Sequence, residues 1–354
     1  MEADGLLLKE AVNCKNILCQ ISAMECRQHL DDIAKPLHSL GKLEDALIQL
    51  AGIKESVHVT LDKKVLLVMC ADNGVVEEGV TQTGQDVTAI VANNFLKDKA
   101  TASILCNMAG ADIIPVDIGV ASDTQIINKK ISYGTKNMVK EPAMTYIQAV
   151  KAIETGIEMV RELKEKGYQI IATGEMGIGN TTTSSAVASV LLNQSPEIVT
   201  GTGAGLSSDG LKRKIKVIKQ AIDLHQPKEE EVIEVLRTVG GYDIAGLTGV
   251  FLGGMLYRIP IVIDGFISSV AALAAVRLNS YCRDFILGSH ISREPASKIV
   301  LEELNISHYL ECNMCLGEGT GAVSIFPLLD MVLKVYQEMG TFDDNQIEKY
   351  VVQK

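Results

Sequence analysis

Three stretches of the chain set glycines beside groups that could do chemistry. "CLGEGTGAV" (315–323) places one carboxylate, Glu318, among three glycines with apolar residues on either side. Glycine tolerates positive φ and lets a ligand approach the main chain, so Glu318 is a candidate general base in a confined setting, with a surface turn as the alternative. "TGEMGIGNTTTSSAV" (173–187) runs from a strand into a helix whose first N–H groups and dipole would form an anion site. "TGTGAGLSSDGLKRK" (200–214) has glycines at 201, 203 and 205, then Lys212, Arg213 and Lys214, one of which could reach back to a phosphate as a point charge. No GxxxxGK[ST] loop is present, and neither "GTGAG" nor "GEGTG" has the GxGxxG spacing. Nucleoside triphosphate hydrolysis and NAD binding therefore have little support, and a phosphomonoester is the better candidate anion.

These loops need a frame, and the apolar pattern supplies one. "KKVLLVMCADNG" (63–74), "ADIIPVDIGV" (111–120), "YQIIATGEMG" (168–177) and "RIPIVIDGF" (258–266) are continuous, β-rich runs, the pattern of strands buried on both faces of a parallel sheet. Between two of them, Tyr146 to Lys166 puts Val150, Ile153, Ile157, Val160 and Leu163 on one helical stripe. The alternation predicts an α/β fold. Asp72, Glu175 and Asp264 each follow a strand's apolar run, so three acids are expected to face one crevice at the carboxyl ends of the sheet, unless they cap the helices that follow. Residues 1–32 read as helical, and 322–354 carry an amphipathic helix interrupted near Pro327. Both chain ends are expected to form a small helical domain (1–32 plus 311–354) beside a catalytic domain (33–310).

Composition narrows the function classes. The 354 residues are 47% hydrophobic and 22% charged, as in a packed globular protein, and the net charge of -11 leaves no basic footprint for nucleic acid or an anionic membrane. The first twenty residues lack the pattern of a signal peptide, and the longest apolar run, "ISSVAALAAV" (267–276), suits a buried helix, so a cytoplasmic protein is expected. Most of the eight cysteines lie inside apolar segments, as reduced thiols do; Cys312 and Cys315 form a tight pair without a second Cys/His pair, so no metal is expected.

Several segments together resemble the nicotinate-nucleotide:dimethylbenzimidazole phosphoribosyltransferases of cobalamin nucleotide-loop assembly. They include "AKPLHSLGKLEDALIQLAGI" (34–53), "ADNGVVEEGVTQTGQDVT" (71–88), "GEMGIGNTTTSSA" (174–186), "GTGAGLSSDGLKRK" (201–214), "GGYDIAGLTG" (240–249), "PIVIDGFISSVAAL" (260–273), "GSHISREP" (288–295) and "LGEGTGA" (316–322), in family order over nearly 300 residues. The resemblance implies a Rossmann-like α/β domain with the small helical domain, a dimer, no cofactor, and transfer of phosphoribose from nicotinate mononucleotide to a benzimidazole nitrogen. It makes Glu318 the general base. It places Gly177, Gly203, Gly205 and Lys214 at the phosphate, Glu175 near the donor's ribose, and Asp243 and Asp264 along the crevice. Thr81, Gln85 and Leu316 would line the acceptor pocket, and His290 would have a structural hydrogen-bonding role.

One departure bears on the acceptor. Where many members carry an aromatic and a proline, this chain has "EGVTQTGQ" (78–85), and Thr83 and Gly84 remove bulk from the pocket wall. A purine, an unsubstituted benzimidazole or a phenol becomes an alternative acceptor. The family also includes paired paralogues, so a heterodimer is an alternative to a homodimer, and a non-catalytic or regulatory subunit is an alternative role. A phosphate-ester hydrolase or NAD-dependent oxidoreductase is the rival enzyme class.

Overall fold

The continuous apolar runs form strands covered on both faces. In a computed structural model that describes residues 5–350, six parallel strands, β1 (Lys64–Ala71), β2 (Ala111–Gly119), β3 (Ile127–Asn128), β4 (Ile170–Met176), β5 (Ile261–Val262) and β6 (Ile286–Leu287), make one sheet in the order β3-β2-β1-β4-β5-β6. Every residue of β1 is buried. Val65, Leu67, Met69 and Ala71 enter one apolar cluster, and Leu66, Val68 and Cys70 enter another. A two-residue period with both faces buried leaves no polar alternation in the sequence.

The strand order reverses between β1 and β4, and a sheet wound this way leaves a crevice beyond its carboxyl ends at that point. Register sets the rim level: Met69 pairs with Glu175 and Cys70 with Met176. The run at 258–266 yields only the two residues of β5, because Arg258 has φ 52° and Asp264 already belongs to the loop. The short strands β3 and β6 were not expected.

Helices Tyr146–Glu165, Tyr242–Leu256 and Phe266–Leu278 contribute to the first cluster. Thr145 starts the first of these with a capping box: its hydroxyl accepts from Gln148 N at 3.2 Å, and its own N–H donates to Gln148 Oε1 at 2.8 Å. This helix meets 242–256 backbone to backbone. A Cβ on Gly156 would lie 1.9 Å from Gly246 O, and one on Gly249 1.8 Å from Ile153 O.

On the second face, helices Gln20–Asp32, Lys42–Lys54 and Phe326–Glu338 bury Cys26, Leu30, Leu47, Leu50, Leu329 and Leu333 in one cluster. His29 Nε2 lies 2.9 Å from Tyr336 O, and Ile33 bridges Thr341, so residues from the two ends of the chain touch here. Helix Leu6–Asn13 lies on the opposite face, where Leu8 and Ala11 join the first cluster. Pro327 falls in the first turn of helix 326–338, where no backbone N–H is needed. All eight cysteines are free thiols; Cys312 and Cys315 are exposed.

Candidate active site

A cavity of about 340 Å³ opens at the carboxyl ends of the strands, with walls from the segments that follow β1, β4, β5 and β6 and from both glycine loops. A larger groove of about 650 Å³, at 189–196 and 219–230, is lined mainly by surface polar side chains. Chemistry concentrates in the first.

Glu318 stands on its wall. Gly317, Glu318 and Gly319 take φ of 88°, 60° and 88°, three successive left-handed residues, the middle one not a glycine. Such a conformation costs of order 1–3 kcal/mol and persists only where the surroundings impose it. Asp264 imposes it. Its Oδ2 accepts from Gly319 N at 3.1 Å, and its Oδ1 accepts from Gly321 N at 2.8 Å and Ala322 N at 3.1 Å. The hydroxyl of Thr320 donates to Gly317 O at 2.8 Å. Beneath the loop, a Cβ on Gly319 would lie 2.2 Å from Leu66 Cδ1, and one on Gly174 2.7 Å from Glu318 O. The glycines of "LGEG" and "TGEM" thus let the loop settle onto β1 and β4. Burial raises the Glu318 carboxyl above the ordinary range; the Ala102 N–H, 3.5 Å from its Oε2, pulls back weakly, and the charge of Asp264 adds to the rise. A partly desolvated carboxylate of this kind suits proton abstraction near neutral pH.

The other strand-end acids divide. Glu175 is on the wall, 7% exposed, and burial followed by the charge of Asp243 pushes its pKa up to about 8. Asn180 Nδ2 bridges it to Asp243, donating to Glu175 Oε2 and, at 3.0 Å, to Asp243 Oδ2. Asp243 is fully enclosed behind that amide rather than on the wall; its Oδ1 accepts from Ile244 N at 3.0 Å, and burial raises it to about 6. Asp72 does not face the crevice. It accepts from Thr88 Oγ1 at 2.6 Å and Ala121 N at 2.8 Å beneath β2's exit, which corrects the expectation of three acids on one rim.

Of the three basic residues at 212–214, Lys214 is the buried one; neither it nor Gly205 is on the cavity wall, where the glycine loop contributes Thr202, Gly203 and Ala204. The lysine is 0% exposed, and its Nζ donates to Thr181 Oγ1 at 2.9 Å and Gly201 O at 3.2 Å, beside Gly203, whose added Cβ would be 3.4 Å from Nζ. Burial lowers its pKa to about 8, against the opposing charge of Glu294. Lys212 pairs with Asp209 at the surface, and Arg213 Nη1 donates to Gly79 O at 3.0 Å. Gly203 and Gly205 have φ of 55° and 91°, and Gly177 packs on Ala71 O, which a Cβ there would approach to 2.1 Å.

Thr81 and Leu316 lie on the wall, as does Cys315. Gln85 does not; its Nε2 donates to Asn73 O at 3.2 Å from the start of helix Asp86–Phe95. Gln82 donates to the carbonyls of Ala204 and Gly205, tying the loop after β1 to the glycine loop. The His290 ring is buried, its Nδ1 3.1 Å from Ser289 Oγ, and burial lowers its pKa. Sequence reasoning missed Asn180, Gln82 and Glu294. Asn180 was masked by its setting at a helix start, and the other two by neighbours that carry the family motifs.

Comparison with known proteins shows the family. The family model described as Phosphoribosyltransferase matches residues 19–347. The chain is 49% identical over 348 residues to the nicotinate-nucleotide–dimethylbenzimidazole phosphoribosyltransferase of Ruminiclostridium cellulolyticum, covering 98% of this chain and 99% of that one. It is also 49% identical to the protein of the same name from Clostridium acetobutylicum, over 96% and 99% of the two chains. The crystal structure of CobT from Thermus thermophilus superposes with a TM-score of 0.87 at 34% identity, over 93% of this chain and all of that one. The chain belongs to the nicotinate-nucleotide–dimethylbenzimidazole phosphoribosyltransferase family.

Proposed function

We propose that the protein moves the 5-phosphoribosyl group of nicotinate mononucleotide to a ring nitrogen of a benzimidazole-type base in cobamide biosynthesis, with Glu318 as general base. The observation that carries this reading is the placement of Glu318, on a loop of three left-handed residues pinned by Asp264, in the same cavity wall as the glycine loop beside Lys214. The C1′–N bond of the donor breaks with its electron pair going to the pyridinium nitrogen, so nicotinate leaves without needing a proton. The acceptor's lone pair forms the new C1′–N bond from the opposite face, which inverts the anomeric carbon and gives an α-riboside 5′-phosphate. The proton on the acceptor's other nitrogen passes to Glu318. Gly203, Gly205 and Lys214 would hold the phosphate, with Gly177 shaping the turn, and Glu175, oriented by Asn180, would meet the ribose. Holding both planar rings in attack geometry supplies much of the remaining rate.

Thr81, Thr83 and Leu316 line the cavity on the side we assign to the acceptor, where Thr83 leaves the wall short of bulk, and a purine or a phenol is the second reading of that pocket. We assign the chain to a dimer, with itself or a paralogue, in the cytoplasm; among the described residues no helix is long and apolar enough to cross a membrane. We also propose the division into 33–310 and a helical unit of 1–32 plus 311–354; the hydrogen bond between His29 and Tyr336 O joins the two chain ends, while helix 6–13 packs on the other face of the sheet. The test is incubation with nicotinate mononucleotide and a panel of benzimidazoles, purines and phenols, following nicotinate release. Release that depends on one acceptor class names the substrate. No release with any acceptor contradicts the proposal.

A further inference from the structure

Glu294 has no part in the chemistry above, yet its carboxylate sits inside the glycine loop. Its Oε1 accepts from Gly203 N at 3.1 Å. Its Oε2 is buried with no hydrogen-bond partner among the described residues, and a Cβ on Gly201 would lie 2.0 Å from it. Lys214, whose Nζ bonds only the neutral oxygens of Thr181 and Gly201, has no carboxylate within salt-bridge distance among the described residues, and Glu294 is the acid whose charge it feels. A buried ammonium beside a backbone N–H asks for an anion, and here a side-chain anion already takes that N–H.

Two anions cannot share that place. A phosphate bound to Gly203 N–H and drawn to Lys214 would lie against the Glu294 carboxylate, with like charges in contact. We propose that Glu294 tunes the donor site as an internal anion that holds the phosphate cradle until a phosphate displaces it, and so sets how tightly the donor's phosphate binds. A donor without phosphate has nothing to exchange for the carboxylate and leaves the loop as it is. This rests on the reading of Gly203 and Lys214 as the phosphate cradle. The backbone that carries Glu294 is tied to the catalytic loop's approach, since Arg293 N donates to Met314 O at 3.1 Å. Displacement of the carboxylate would therefore be felt two residues before Leu316, on the acceptor side of the cavity.

Replacing Glu294 by Gln keeps the shape and an acceptor for Gly203 N–H but removes the competing charge. Everything it takes from the free protein is an interaction that phosphate must otherwise break, so binding tightens whatever the protonation of Lys214. A hydrogen bond to a charged group is worth enough that the expected gain is about tenfold. The experiment is calorimetric titration of wild type, Glu294→Gln, Glu294→Asp and Lys214→Met at pH 7 with inorganic phosphate, nicotinate mononucleotide and nicotinate riboside. The expected result is about tenfold tighter phosphate and mononucleotide binding in E294Q, a smaller gain in E294D, whose charge is drawn back by one methylene, and unchanged riboside binding. If E294Q does not fold, E294D decides by the same criterion. Phosphate binding that is unchanged or weaker in the Glu294 variants while Lys214→Met abolishes it would overturn the proposal and leave the cradle standing. Phosphate binding unaffected by Lys214→Met would remove the cradle and the proposal with it.

Discussion

Replacing Asp264 by Asn separates a loop-holding carboxylate from a substrate-binding one. Asp264 accepts three backbone N–H groups, from Gly319, Gly321 and Ala322, at 3.1, 2.8 and 3.1 Å. Asparagine retains one acceptor oxygen. In its better orientation it keeps the Gly321 and Ala322 bonds in neutral, weaker form and turns its amide hydrogens on the Gly319 N–H. One charge-assisted bond lost and two weakened come to about 3 kcal/mol. That is as large as the upper end of the strain, about 3 kcal/mol, that holds a non-glycine residue left-handed, so Glu318, at φ 60°, is released from its position. A displacement of about 1 Å at a catalytic group costs about 100-fold in rate. The assay is steady-state nicotinate release, with donor affinity measured separately by titration. Asp264→Asn is expected to lower kcat about 100-fold with donor affinity nearly unchanged. Turnover within threefold of wild type would refute the loop-holding role, and lost donor affinity with normal turnover would return Asp264 to the substrate.

Other outcomes follow from packing and charge. Glu175 and Asp243 are raised by burial to about 8 and about 6, so the folded state favours their neutral forms; the stability they contribute is present at low pH and is lost as pH rises through those values. The stability of the free protein, and with it the melting temperature, should therefore fall between pH 5 and 7.5, with up to about 1.4 kcal/mol per pH unit from Glu175, and Glu175→Gln should flatten the slope; an identical slope in the variant would contradict the assignment. Gly249→Ala puts a methyl where only 1.8 Å separates the Cβ position from Ile153 O, and chemical denaturation should show a loss of at least about 2 kcal/mol. A variant as stable as wild type would mean that the two helices separate at little cost.

How much of this could be read from the sequence depends on the kind of information each feature leaves there. β1 and β4 were legible because strands covered on both faces must be continuously apolar, and β2 by its β-branched run, although Asp112 at its start is exposed. β3 and β6, two residues each, leave no pattern to read. Glu318 was marked by its glycines, since the loop must lie on β1 and β4. Lys214 was also legible in principle: it shares a helical face with Val217, Ile218 and Ala221, all buried, whereas Lys212 and Arg213 fall off that stripe. The strand-end acids were not separable. Asp72 and Asp264 occupy the same local position, and only the surrounding N–H groups decide that one serves Thr88 and Ala121 and the other the Glu318 loop. The same holds for Glu294, whose contact with Gly203 spans 91 residues of chain and leaves no trace in local spacing.

The most direct test of the central claim is the pH dependence of kcat/KM for nicotinate release in wild type and Glu318→Gln. Because burial raises the Glu318 carboxyl and only its ionised form can take the acceptor's proton, the wild-type rate should fall as pH drops through an apparent pKa above 4.5, the ordinary glutamate value. In the variant, the rate should be lower by about 100-fold or more and that limb should vanish. A variant that keeps both its rate and the acid limb would show that the proton goes elsewhere.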